Sequence, residues 1–447
     1  MELKQSIFRN YDIRAEYGLD INAEIAEILG RTFAKYSNAK QVVIGGDTRI
    51  STPEIKEAVI KGLLESGVNI IDIGLTSTDG IYFATKHYNI KGGIMITASH
   101  MPPQFNGLKF VLDLKPIGKG SGMEELANIA MSSDFIKTNV HGQLTQLDIW
   151  EDYKNFIFSF INDKTQIKPI KVVMDAGNGV GGFVAEKLYK DLPIQNIPLF
   201  FEPDGTFPNH EANPILPENR VDLVNKVLET KADLGIAWDA DCDRVYFIDE
   251  NGKYIDGDFI TALLAKHFIE KHPGARIVYD IRASFVVKDT VEKLGGFAYS
   301  EKVGHTYIKL TMRNKDAIFG GEVSGHYYYK DNAYADNGFI APLILLELIS
   351  KTNQPISKII KDLGEYYVSG EINSEVKNVE EVIAKIKQNY KNANKIDVLD
   401  GISIYFDDFH FNVRPSSNDP VIRLNLEANS QALMEQKRDE ILNLIRS

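Results

Sequence analysis

The sequence predicts three related α/β domains followed by a smaller C-terminal α+β domain, from its length, an internal repeat and a change of pattern near residue 367. A chain of 447 residues exceeds what one hydrophobic core usually supports, so several domains are expected. The segments KQVVIGGDTR (40–49), IKVVMDAGNG (170–179) and ARIVYDIRAS (275–284) share one order: a polar residue, a short β-branched run, then Asp and a turn. Each precedes a helix-like stretch, such as PEIKEAVIKGLLESG at 53–67, and then another short strand. Strands alternating with helices indicate parallel α/β units. The tail breaks this pattern: an amphipathic stretch at 379–390 precedes the strands ISIYF, FHFNVRPS and VIRLNLEA and a final helix from about Gln431. That order is α+β. Domain boundaries are expected at 1–145, 146–249, 250–366 and 367–447.

Composition narrows the function classes. Hydrophobic residues make up 44% and charged residues 25%, and no stretch reaches the ~18 to 20 uninterrupted apolar residues of a membrane span. The opening MELKQSIFRNYDIR lacks the basic-then-apolar order of a signal peptide, so a cytoplasmic enzyme with no membrane partner is expected. A single cysteine, Cys242, cannot form an intramolecular disulfide. The net charge of −12 argues against a nucleic-acid partner, whose phosphates are bound by basic faces.

Each repeat unit reaches a further strand that ends in a polar loop: GGIMITASH (92–100), LGIAWDADCDR (234–244) and AIFGGEVSGH (317–326). Open α/β sheets bind ligands beyond the carboxyl ends of their strands. In the second loop Asp239, Asp241 and Asp243 alternate between apolar runs. Three carboxylates this close repel one another unless a cation sits among them, and an all-oxygen set suits Mg²⁺ or Ca²⁺. Three carboxylates leave coordination positions open, which Mg²⁺ commonly fills with phosphate oxygens or water, and Arg244 follows and could bind the same phosphate. In the first loop Ser99 is a candidate nucleophile. On an extended chain its neighbour His100 would point to the opposite face, so His100 is not expected to serve as its base. Pro102 and Pro103 stiffen the turn and Lys109 offers a cation. In the third loop Glu322, Ser324 and His326 occupy alternate positions, which in an extended segment face one way and suit a polyol or sugar. In RPSSNDPVIR (414–423), Arg414, Ser416, Ser417 and Asn418 can grip a phosphate, and Arg423 can contribute. FRNYDIR adds Arg9, Tyr11 and Arg14.

Taken in this order, the four loops resemble those of the α-D-phosphohexomutase superfamily, most closely its bacterial phosphomannomutase/phosphoglucomutase branch, over essentially the whole chain. The resemblance implies four domains around a central cleft, three of them α/β units with mixed sheets. It implies a phosphoserine at Ser99, Mg²⁺ held by Ser99, Asp239, Asp241 and Asp243, sugar hydroxyls bound by Glu322, Ser324 and His326, and a distal phosphate held by Arg414, Ser416, Ser417 and Asn418. It further assigns site roles to Tyr11, Arg14, Lys109, Arg244 and His305. Arg282 stands where Lys is common in the family, and Met101 where Asn is usual after Ser-His, which removes a side chain that could orient the loop.

The expected reaction interconverts a hexose 6-phosphate and its 1-phosphate, most readily of mannose, through phosphorylated Ser99 and a hexose 1,6-bisphosphate. Arg14, Lys109 and Arg244 would stabilise the transferring group, with His326 or Lys109 handling the proton. Val323 stands where the glucosamine branch usually has Gln. The alternatives are a phosphoglucomutase or dual-specificity mutase, a metal-dependent sugar phosphatase, and a non-catalytic sugar-phosphate-binding paralogue. A monomer or homodimer acting on a small phosphosugar is expected.

Overall fold

A computed structural model describes residues 2–376, 378–415 and 421–447. The chain folds as two compact units, one spanning Met1–Ile255 and Ser324–Ser357, the other Asp256–Val323 and Lys358–Ser447.

The repeat seen in the sequence is a repeat of topology. In the first unit, strand Gln41–Gly46 leads to helix Thr52–Glu65, strand Asn69–Leu75, helix Thr78–His87, strand Gly92–Ile96, a loop, and strand Phe105–Leu112. Gln41–Gly46 lies between Asn69–Leu75 and Gly92–Ile96, parallel to both, and Phe105–Leu112 returns antiparallel to Gly92–Ile96. The second copy repeats this order: Lys171–Asp175 lies parallel between Gln195–Leu199 and Leu234–Trp238, and Val245–Ile248 returns antiparallel. The sheets are therefore mixed. In the second unit, Arg276–Asp280 lies parallel between Phe297–Glu301 and Phe319–Gly321.

The recurring Asp has a local cause. Asp47 Oδ1 accepts a hydrogen bond from the Arg49 N–H (3.0 Å), Asp175 Oδ1 from Gly177 (2.8 Å) and Asp280 Oδ1 from Arg282 (2.8 Å). Each aspartate thus closes the turn that leaves its strand, the usual reason for Asp at such positions.

In the first unit, helices Ala23–Ser37 and Thr52–Glu65 pack closely against one another. Asn22 caps the first by accepting from Ile25 N–H, and Pro53 sits in the first turn of the second. A Cβ at Gly62 would fall 2.2 Å from the Glu27 carbonyl oxygen, so the approach requires glycine. The apolar faces of these helices join Val42, Ile44, Ile94 and Ile96 in one core.

The tail of the second unit is an antiparallel sheet in the order Tyr367–Glu375, Val421–Ala428, Phe409–Pro415, Ile402–Tyr405, Lys395–Asp397. Helices Val379–Asn389 and Gln431–Arg446 supply Ile386, Ile441 and Ile445 to its core. This is the expected α+β arrangement. No helix among the described residues is long and apolar enough to cross a membrane.

Candidate active site

Two loops at equivalent places in the repeat build one site within the first unit. The loop after Gly92–Ile96 carries Ser99, and the hairpin joining Leu234–Trp238 to Val245–Ile248 carries the aspartates. Ser99 is buried, its φ is +53°, and its N–H donates to Thr97 Oγ1 (2.8 Å). Its Oγ donates to Asp239 Oδ2 at 3.1 Å, across 140 residues of sequence.

Asp239, Asp241 and Asp243 are all buried, and one oxygen from each lies within 4.8 Å of the others. Burial, and next the charges of Asp243 and Asp241, push Asp239 well above the usual carboxylate range. Asp243 is held well below it: burial works the other way, but Lys109, His326 and Arg244 outweigh it. Carboxylates crowded into one buried site part in this way, one raised while its neighbour is held ionised. Asp241 Oδ1 and Asp243 Oδ1 are buried without a hydrogen-bond partner. An all-oxygen set with two orphaned acceptors fits a hard divalent cation.

The cations predicted beside the aspartates are there. Lys109 donates to Asp241 Oδ2 at 2.6 Å and also to Asp243 Oδ2. Burial opposes its charge, but Asp241 and Asp243 more than offset that, and its pKa rises. Arg244 lies 3.5 Å from Asp239 Oδ2 and 3.8 Å from Asp243 Oδ1 through Nε. Arg14 is held by both oxygens of Asp12 (3.1 and 3.0 Å), and its charge is felt at His100. Tyr11 lies on the turn that precedes it.

His100 departs from the expectation. Its Nδ1 lies 3.3 Å from Ser99 Oγ, because the left-handed backbone at Ser99 breaks the extended chain that would have sent the two side chains apart. The same Nδ1 accepts from Arg244 Nη2 at 2.6 Å. The charge of Arg244, and then burial, drive the His100 pKa well below its ordinary value. The ring is therefore a neutral acceptor that braces Arg244.

The third loop is also not an extended strand. Residues 323–325 turn, with Gly325 at φ +87°, so the period-two argument for Glu322, Ser324 and His326 does not apply. Ser324 and His326 belong to the first unit and Glu322 to the second. The Ser324 carbonyl accepts from Tyr246 Oη at 2.9 Å. His326 Nδ1 lies 3.0 Å from the Asp243 carbonyl oxygen and 3.1 Å from Asp336 Oδ2. Burial depresses His326, but Asp243 and Asp336 outweigh it and raise its pKa.

Within the second unit, Glu322 Oε1 accepts from Gly304 N–H (2.9 Å), just before His305 opens helix His305–Lys315. Arg282 is bound through Nε and Nη2 to Asp280 (3.0 and 2.8 Å). It also lies 3.6 Å from Glu371, which Arg414 reaches at 2.9 Å and Arg423 at 3.2 Å. Arg414 and Arg423 are register partners on adjacent strands, which explains their convergence. Ser416, Ser417 and Asn418 lie outside the described residues.

Comparison with known proteins follows the same plan. The phosphoglucomutase/phosphomannomutase α/β/α domains I, II and III match residues 5–132, 151–252 and 256–367, and the C-terminal domain matches 371–444. The chain belongs to the phosphoglucomutase/phosphomannomutase family. It is 39% identical to a phosphomannomutase of Escherichia coli K12, covering 99% of both chains. It is 40% identical to a phosphomannomutase of Vibrio cholerae, covering 98% of both. A solved family structure from Burkholderia thailandensis superposes with a TM-score of 0.89 at 31% identity, over 99% of this chain and 97% of that one. As a family member the chain is a phosphotransferase of the mutase type.

Sequence reasoning missed several residues of this mutase. Thr78, at the start of its helix, donates through Oγ1 to Asp241 Oδ2 (2.5 Å) and through its N–H to the Asp241 carbonyl oxygen (3.0 Å). Asp336 orients His326, and Glu371 gathers the arginines. Nothing in the local pattern marks these three. Arg49 lies in the first repeat motif and was visible there only as part of a turn. The doubt raised by Met101 also changes, since its backbone carbonyl accepts from Arg49 Nη2 at 2.6 Å, a contact independent of the side chain.

Proposed function

We propose that this mutase interconverts mannose 6-phosphate and mannose 1-phosphate, and accepts glucose phosphates as alternative substrates, through a phosphoserine at Ser99. The observation that carries the reading is the convergence of Ser99 Oγ, the three aspartates, Lys109 and Arg244 on one buried centre. The relatives named phosphomannomutase support mannose, and Val323 in the third loop argues only against a glucosamine phosphate.

Phosphorylated Ser99 donates to the free hydroxyl of the bound sugar phosphate. The P–Oγ bond breaks as the new P–O bond forms, the hydroxyl proton passes to a base, and the leaving Ser99 Oγ takes up a proton. A hexose 1,6-bisphosphate results, reorients, and returns its other phosphoryl group to Ser99. Phosphoryl transfer depends on alignment and charge neutralisation. Lys109, held as an ammonium by Asp241 and Asp243, serves the second need and is a poor base. His326 is the proposed proton carrier: its Nδ1 faces the Asp243 carbonyl oxygen and Asp336 Oδ2, two acceptors that place a ring proton there. Asp239, Asp241, Asp243 and a phosphoserine oxygen would hold Mg²⁺, which supplies further charge neutralisation when bound. Glu322, Ser324 and His305 are proposed to meet the sugar, and Arg414, Arg423, Arg282 and residues 416–418 the distal phosphate.

The test is isomerisation of mannose 1-phosphate and glucose 1-phosphate with Mg²⁺ and hexose 1,6-bisphosphate, scoring 6-phosphate against inorganic phosphate. The proposal requires 6-phosphate. Inorganic phosphate alone would replace the mutase by a phosphatase, and binding without turnover by a non-catalytic paralogue.

A further inference from the structure

The turn that leaves strand Gln41–Gly46 contains a side chain to which the proposed reaction gives no task. Arg49 is 1% exposed, and among the described residues no hydrogen bond or ion pair joins it to the three aspartates, although it feels the charge of Asp241. Its guanidinium instead points under the serine loop. Nη2 donates to the carbonyl oxygens of Ser99 (2.5 Å) and Met101 (2.6 Å), and Nη1 to those of Pro102 (2.8 Å) and Phe105 (2.9 Å). Nε donates to Asp47 Oδ2 at 3.1 Å, and Asp47 is itself fixed by the Arg49 N–H and by Thr52 Oγ1 (3.0 and 2.8 Å). The Phe207 ring lies 5.2 Å from the guanidinium carbon, and a Cβ at Gly205 would fall 2.5 Å from Arg49 Cα, so the 203–207 segment covers the arginine closely.

The loop needs such support. Ser99 sits in the left-handed region, which a non-glycine residue keeps only when its surroundings hold it there. That backbone is also what aims Oγ at Asp239. A planar fork with donors on both nitrogens can grip several carbonyls at once, and an ammonium cannot reproduce that geometry. The equivalent arginine of the third repeat, Arg282, has its Nη1 directed to Glu371 and its Nε and Nη2 bound to Asp280, and makes no such carbonyl clamp among the described residues.

We infer that Arg49 is a positioning residue which clamps the carbonyls of the 99–105 loop and thereby holds Ser99 Oγ in line with the aspartate triad. This rests on the mutase reading above for its consequence in turnover, though not for its structural content.

Two full-length variants test it, Arg49→Lys, which keeps a charge against Asp47, and Arg49→Gly, which leaves room for a free guanidinium ion. The expected result is a fall in kcat of ~10²-fold for both, with KM changed by no more than about threefold, because a misplaced reacting group costs turnover rather than binding. Added guanidinium chloride, at a concentration that leaves the melting temperature unchanged, should restore part of kcat to Arg49→Gly. Amide hydrogen exchange, which needs no turnover, should rise across 97–105 in both variants and stay unchanged in 239–244. Wild-type kcat in Arg49→Lys, or unchanged protection across 97–105, would overturn the inference. A fall of kcat and melting temperature together with a rise of KM beyond threefold, without guanidinium rescue, would make Arg49 merely structural. If exchange rises across 97–105 in both variants but the wild type does not isomerise hexose phosphates, the mutase reading fails while the clamp stands.

Discussion

Replacing Lys109 by Met should destabilise the metal-free protein by an amount that depends on pH in a calculable way. At 2.6 Å from Asp241 Oδ2, and with an effective dielectric constant of about 20, the gross attraction is about 6 kcal/mol. Desolvation of the ammonium cancels part of this, and removing one partner of a buried pair typically costs about 3 to 5 kcal/mol. A second route gives the same scale. Without Lys109, Asp243, which that ammonium holds ionised, can relieve the repulsion by binding a proton, at about 1.36 kcal/mol per pH unit above the ordinary carboxyl value of 3.8. That is about 4.4 kcal/mol at pH 7 and about 1.6 kcal/mol at pH 5. Urea unfolding of the full chain with a chelator should therefore show a loss of about 4 kcal/mol at pH 7 that shrinks by more than half at pH 5. Saturating Mg²⁺ should return most of the pH 7 loss, because a cation bound to the folded state stabilises it by mass action. A loss under about 1 kcal/mol at pH 7, or one that grows on acidification, would refute the claim that Lys109 neutralises the triad.

Other parts of the molecule make independent predictions. Gly62→Ala puts a Cβ against the Glu27 carbonyl and should lower the urea unfolding free energy by about 1 to 3 kcal/mol, the usual cost of overpacking. Burial, opposed by a bond from Ser284, pushes the Glu427 carboxyl up to about 8, from an ordinary 4.5. A raised acid is protonated in the folded state, so its stabilising share is complete below pH 4.5 and is lost as pH rises through 8, by at most about 4.8 kcal/mol. Glu427→Gln should therefore flatten the decline in stability between pH 5 and pH 8 seen in denaturant titrations; an unchanged slope would contradict it. Thr78→Val keeps volume but removes the hydroxyl bonded to Asp241, and should weaken Mg²⁺ binding by calorimetry about 10-fold or more.

The repeat was legible because each copy spends an aspartate on the same turn, a local requirement that sequence displays directly. The aspartates were legible for a related reason, since their spacing beyond a strand end is their chemistry; Ser99 was marked by the equivalent place of its loop, and its phosphoserine role came only with the family resemblance. What the sequence hid was backbone conformation and long-range placement. The left-handed φ at Ser99 reversed the expectation for His100, and a turn at Gly325 replaced the expected extended loop. Thr78, Asp336 and Glu371 act on partners by virtue of the fold, and no periodicity announces them. Arg49 was inside a recognised motif, but only the direction of its side chain separates it from Arg282.

The central claim is that Ser99 carries the transferring phosphoryl group. It is tested most directly by intact-mass and fragment mass spectrometry of the protein after brief exposure to hexose 1,6-bisphosphate and Mg²⁺. The account predicts one phosphoryl group, on Ser99, that is lost to added hexose monophosphate at the rate of turnover and is absent from Ser99→Ala, which should not isomerise substrate. Turnover by Ser99→Ala, or a phosphoryl group on another residue that exchanges at the catalytic rate, would contradict it.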